Sequence, residues 1–205
     1  MIMGNIYQDK IDNEVRNVIH PICCRWNELT EEELETILQK FGNICRDETS
    51  KLRMHILTDD NLVKALLEIG YKYKNNSKIL IEIISSFHNM RERYKLEITN
   101  AIFDFIVSCI SNKKVNFYVS IFIISLPQFE NYKHKWSYVL SIPNIAPRKK
   151  SINTFYRYIN RNIGHIPNDY KSDIIKVFHD ALKVSGLHET TIKKYEDIIE
   201  RIRDK

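Results

Sequence analysis

Glycine and proline are scarce, five of each in 205 residues. Five glycines leave no Gly-rich phosphate cradle, and no P-loop, GxGxxG, HExxH or Ser-His-Asp pattern is found. Cysteine is scarce too. Four thiols, two of them adjacent at Cys23 and Cys24, do not make the spaced framework of a small secreted scaffold, so reduced thiols in a cytosol are expected. Residues 1–10 carry neither the basic n-region nor the apolar h-region of a secretory signal, and Gln8 stands where myristoylation from a start at Met3 would want Ser or Thr. Long apolar runs are also missing: the most apolar stretch, 115–126, is too short to span a bilayer and begins beside Lys113 and Lys114. These absences describe a cytoplasmic chain with no membrane partner. Alanine is rare, four against 32 Ile and 18 Asn, a bias of AT-rich coding that makes the isoleucines weak evidence for strands.

What is present is enough apolar material for a core, 43% of residues, and an uneven distribution of charge. The chain carries 31 basic and 26 acidic residues, net +5, but residues 131–168 hold seven basic residues and no acidic one. The other 167 residues carry 24 positive and 26 negative charges. The basic character of the chain is therefore that of one segment, which suits a local anionic partner better than a generally cationic protein.

Helical periodicity decides the fold class. Leu34, Ile37, Leu38, Phe41, Ile44 and Cys45 fall on one helix face, and Thr30 with Glu33 makes a capping box. Glu31, Glu32, Glu33 and Glu35 crowd its first turn, where the helix dipole favours them. A second stripe, Ile174, Val177, Phe178, Ala181 and Leu182, begins after Pro167 and Asn168 and stops at Gly186; a third is Ile192, Tyr195, Ile198, Ile199 and Ile202. Ile11, Val15, Val18, Ile19 and Ile22 suggest another helix that Pro21 kinks or ends.

The middle gives two hairpin-like units. One runs over 58–74, turns at Asn75 and Asn76 and returns over 79–88; the other runs over 98–110, turns at 112–114 and returns through Leu126. An offset of 39 lays Leu62, Val63, Leu66 and Leu67 over Ala101, Ile102, Phe105 and Ile106, and an offset of 39 or 40 lays Ile83 and Ile84 over Phe122 to Ile124. Paired helices of about 15 residues at a period near 40 resemble a HEAT-like or armadillo-like α-solenoid over roughly residues 30–141. That resemblance implies a scaffold of stacked antiparallel hairpins that binds a macromolecule and does no chemistry. The rival for residues 101–126, rich in Ile, Val and Phe, is a β-hairpin turning at 111–114. The expectation is one all-α domain over 1–205, of eight to nine helices, with sub-units at 1–127 and a basic 128–205.

Candidate chemistry is sparse. His20, Cys23 and Cys24 share i, i+3 and i+4 spacing, but no second ligand pair follows and Cys45 and Cys109 are isolated, so no metal is expected. Asp59-Asp60 reads as a helix N-terminus. Arg16 to His20 and Arg161 to His165 both read Arg-Asn-x-x-His, which is similar to the Arg-polar-…-His signature of the all-helical HEPN-family ribonucleases. That family places four to six residues between Arg and His, against three here. The resemblance implies His as acid or base and Arg on phosphate charge. No catalytic residue and no cofactor are expected on balance.

The basic segment is the candidate binding site. Pro143 and Pro147 break the chain, Arg148-Lys149-Lys150 follow as a loop, and Ser151 can cap a helix that buries Ile152, Phe155, Ile159 and Ile163. The other face is then Thr154, Arg157, Tyr158 and Arg161, with Lys133, Lys135 and Trp136 on a neighbouring element. Cations with aromatics suit an acidic protein with a few aromatic anchors, or nucleic acid with phosphates on the cations and bases stacked on Tyr158. The function expected is non-enzymatic binding and neutralisation of a partner protein, as an immunity protein does with a toxin. Nucleic-acid binding is the alternative, and a ribonuclease the third reading.

Overall fold

The computed structural model describes residues 2–47 and 49–204, with side chains described from residue 7. Among the described residues the chain is helical, with no strand. Its α-helices are α1 (Ile2–Glu14), α2 (His20–Cys24), α3 (Glu31–Arg46), α4 (Lys51–Leu57), α5 (Asp60–Lys72), α6 (Ser77–Tyr94), α7 (Asn100–Ser108), α8 (Asn116–Ile123), α9 (Lys135–Ser141), α10 (Arg148–Arg161), α11 (Asn168–Leu182) and α12 (Glu189–Arg203). Because α1 runs through a π turn, Val15–Ile19, into α2, these make eleven rods among the described residues, more than the eight to nine expected. The chain divides into two compact units, Met1–Leu126 and Pro127–Lys205.

Pro21 neither ends nor sharply breaks the first rod. Proline has no N–H to return to Asn17, and the chain accommodates this by widening one turn, so that the His20 N–H reaches Val15 O instead. The rod then continues to Cys24. The acidic start of α3 behaves as its residues dictate: Thr30 Oγ1 accepts from the Glu33 N–H at 3.3 Å, and the Glu33 carboxylate accepts from the Thr30 N–H at 2.9 Å. The Thr30 N–H, and the Thr30 hydroxyl donating at 2.8 Å, hold the Glu33 carboxyl below its ordinary range. Asp59 and Asn76 cap α5 and α6 by accepting from two backbone N–H groups each, with no reciprocal bond.

In the first unit the helices touch in two series. α2 packs on α5 and α5 on α7, while the π turn packs on α3, α3 on α6 and α6 on α8. Gly70 of α5 and Phe105 of α7 show how close one crossing is, since a Cβ on Gly70 would meet the Phe105 ring at 2.5 Å. Residues 101–126 are α7 and α8 with a turn between them, and the hairpin of strands does not form. The short α4, which periodicity does not reveal, carries Arg53 into the interior at 1% exposure. Its guanidinium donates to both Glu14 oxygens at 2.7 and 3.2 Å and to Asp47 at 3.0 Å, and it lies 5.8 Å from the Tyr7 ring centre. Lys10 reaches the same Asp47 oxygen at 2.6 Å. A buried arginine is tolerated because its fork is matched on more than one side.

The second unit is built on rings. Phe155 and Phe178 lie 5.2 Å apart, and Phe178 and Tyr195 5.4 Å, so α10, α11 and α12 meet on aromatic faces. Phe129, from a 3-10 turn at Pro127–Asn131, packs edge-on to Tyr138 of α9 and Tyr158 of α10. Gly186, with φ +77°, makes the turn after α11 that a side chain would strain.

Candidate functional site

The seven cations of residues 131–168 divide into two kinds. Lys133, Arg148, Lys149, Lys150, Arg157 and Arg161 are exposed and make no ion pair among the described residues. Lys135 is different: its side chain is 11% exposed, bonded to Glu130 at 2.6 Å and placed 5.2 Å from the Trp136 ring centre. Glu130, one residue outside the basic segment, neutralises it.

Arg148, Lys149 and Lys150 are the first turn of α10 and not a loop. Pro147 takes the N-cap position and offers no side-chain cap, and no acidic residue stands in that turn. Ser151 does not cap the helix; it is fully buried in the fourth helical position. Pro147 can start the helix early because its fixed φ already fits, and only its missing N–H, which no helix start needs, is lost. Three positive charges thus sit at the positive end of a helix dipole, an arrangement that costs stability. Lys150, Thr154, Arg157 and Arg161 follow one another at four-, three- and four-residue steps, a span of about 16 Å at 1.5 Å per residue.

The aromatic part of the expected face is corrected. Tyr158 is 3% exposed, against Phe129 at 5.8 Å and Trp136 at 6.1 Å, with its phenol pushed up by burial and by the Glu130 charge. Trp136 is half-buried, also facing Tyr170 at 6.2 Å. Ile152 and Ile163, expected inside, are only half-buried, whereas Phe155 and Ile159 are in the core. The helix has turned toward its aromatic neighbours. A tyrosine placed one residue from the aliphatic stripe is drawn in by the rings of Phe129 and Trp136, which lie far off in sequence. Tyr158 stands three residues after Phe155 and one before Ile159, so helical spacing admits it to the buried face as well as to the outer one.

The other candidates are placed as follows. No group of three His, Cys, Asp or Glu side chains that could hold a metal exists among the described residues. Cys23 is half-buried with its thiol pushed up to about 11 by burial, Cys24 is exposed, and Cys45 is fully buried and pushed up to about 12. None of the four cysteines is bonded to another. Arg161 ends α10, and His165 lies exposed in the 3-10 turn Ile163–His165. Arg16 and His20 are brought together: both line one open groove of about 380 Å³ between the first rod and α4. Leu52 and Ile56, which form the opposite wall, were not legible as site residues. The one available signal was Ser50, three residues before Arg53, which caps α4 through its hydroxyl.

No helix among the described residues is long and apolar enough to cross a membrane. No protein-family model, curated protein sequence or solved structure matches the chain.

Proposed function

We propose that this chain is a non-enzymatic binding protein that captures and neutralises an acidic partner protein, with α10 as the contact element. The observation that carries the reading is the first turn of α10, where Arg148, Lys149 and Lys150 are exposed, unpaired and set against the helix dipole. Charges that cost the free chain stability are explained by a partner that compensates them. Arg157, Arg161 and Lys133 extend the contact. Lys135, Trp136 and Tyr158 support it from behind: the pair with Glu130 and the ring packing hold α9 against α10, so they position the contact element and do not touch the partner.

The first unit is read as a HEAT-like stack of helical hairpins. Its support is the two series of helix contacts, α2–α5–α7 and π turn–α3–α6–α8, in which each hairpin covers the next. A stable protein complex buries about 800 Å² on each partner, an area within reach of a few exposed helix faces. Four unpaired thiols and the lack of a spaced cysteine framework support a cytoplasmic setting. The buried Tyr158 withdraws the stacking group that a single-stranded nucleic-acid site would use.

The test is capture from host lysate by the tagged full chain, with and without nuclease, beside the variant with Arg148, Lys149 and Lys150 all changed to Glu. The expected result is one stoichiometric protein that survives nuclease and is lost in the variant. Nucleic acid that disappears with nuclease would replace the reading with backbone binding to a nucleic acid, whose log–log salt slope is near −0.9 per phosphate contact on duplex DNA. Cleavage of RNA that His20→Ala or His165→Ala abolishes would replace it with the ribonuclease.

A further inference from the structure

The groove between the first rod and α4 shares no residue with α10 and joins polar to apolar side chains. Along one wall Gln8, Asp12, Arg16 and His20 follow at four-residue steps, with Ile11 and Val15 beside them on the same rod. The opposite wall is apolar, Leu52 and Ile56 of α4, and Leu52 is among the few large apolar side chains left exposed, at 39%. The Gln8 amide donates to one oxygen of Asp12 at 2.8 Å. Arg16 and His20 make no side-chain hydrogen bond and no ion pair among the described residues, so a guanidinium and an imidazole one turn apart face the groove without a counter-ion.

We propose that this groove binds an amphiphilic anion, an acyl chain with an anionic head group. The head lies against Arg16, whose planar fork matches two oxygens of a carboxylate or phosphate, with His20 as a further donor. The chain lies along Leu52 and Ile56. Charge complementarity sets the polarity of the ligand: the Asp12 carboxylate, one turn before Arg16 on the side of Gln8, disfavours a second anionic group there. The groove volume, about 380 Å³, is at the lower end of the range of ligand pockets, about 300–1,000 Å³, which suits one medium-length chain.

Two sources share this chemistry, a free acyl carboxylate and the anionic lipid of a membrane surface, and one experiment separates them. The full chain is titrated calorimetrically with decanoate below its micelle concentration, with decanol and decyltrimethylammonium as controls, and sedimented in parallel with phosphatidylglycerol and phosphatidylcholine vesicles. The expected result is saturable binding of one anion per chain, at least tenfold weaker in Arg16→Gln and in Leu52→Asp, both with wild-type far-ultraviolet circular dichroism. The two controls bind weakly. Response to decanoate alone assigns a free acyl anion, and cosedimentation with phosphatidylglycerol lost in the same variants assigns a lipid. Absence of saturable binding in both arms, or binding that survives both substitutions, overturns the proposal. Neither residue lies on α10, so that result leaves the reading of α10 standing.

Discussion

The two units are made of the same helices but solve different problems. Residues 1–126 hold 16 basic and 17 acidic residues, and residues 127–205 hold 15 and nine, so the whole net charge of the chain resides in the second unit. The first unit pairs part of its charge internally: Glu14, Asp47, Lys10 and Arg53 form one network, and Glu35 accepts from Asn76 at 2.7 Å and Lys78 at 2.9 Å. Its helices cross on isoleucine, leucine, phenylalanine and a glycine. The second unit leaves its cations outside and closes its interior with rings. The lesson is that a surplus of one charge sign is interpretable only after internal pairing has been subtracted. In the first unit that subtraction removes basic and acidic residues together, and among the described residues of α10 it removes none of the cations.

Each unit holds one of the chain's two tryptophans, Trp26 and Trp136, so Trp→Phe variants report the units one at a time. The largest effect is expected from Arg53→Met, which strands the Glu14 carboxylate where it is mostly buried. A loss of about 3 kcal/mol from the first unit is expected in urea denaturation followed at Trp26, with little change at Trp136. Gly70→Ala comes next. The added methyl meets the Phe105 ring at 2.5 Å, and a loss of about 2 kcal/mol is expected, partly recovered by Phe105→Leu in the double variant.

Acid should separate the units further, by a smaller amount. His88 of α6 lies beside Phe122 of α8, ring centres 5.5 Å apart, and burial holds its imidazole below its ordinary value of 6.5, with Arg91 adding to and Glu92 opposing that shift. The unfolded chain therefore takes up the proton first. The stabilisation is complete above pH 6.5 and is lost as pH falls through the folded value, so the urea midpoint at Trp26 should drop between pH 7 and 5, and His88→Gln should remove that part of the slope. The smallest effect is a gain. Changing Arg148, Lys149 and Lys150 to Glu places acids at the positive end of α10, and the second unit should gain a few tenths of a kcal/mol while partner binding disappears. A loss of stability instead would show that the three cations are structural.

Helix existence was legible wherever one stripe and one cap coincided. Thr30 with Glu33, Asp59 before Leu62 and Asn76 before Ile79 all act within four residues of the helix that they start, so a linear reading reaches them. It failed where the deciding partner is distant. Seven-residue α4 is too short to display a period, and its stability depends on Glu14, 39 residues before Arg53. Pro21 was expected to kink or end its helix, but whether the rod ends or absorbs a π turn depends on what packs around it, α3 on the π turn and α5 on α2. Of the candidate binding residues, the six exposed cations could be read because charge resists burial, whereas Tyr158 and Trp136 could not, because an amphipathic ring accepts either side of a helix.

By itself the sequence determined an all-helical chain, the places where most helices begin, and a segment with cations and no acids, since propensity, capping and composition act over a few residues. Tertiary structure decided which charges are spent inside, that Lys135 is matched by Glu130 and Tyr158 by its neighbouring rings, and that Arg16 and His20 face Leu52 and Ile56 across one groove. Those outcomes rest on contacts between residues that do not share a helix, and burial and pairing energies are set by such contacts and not by spacing along the chain.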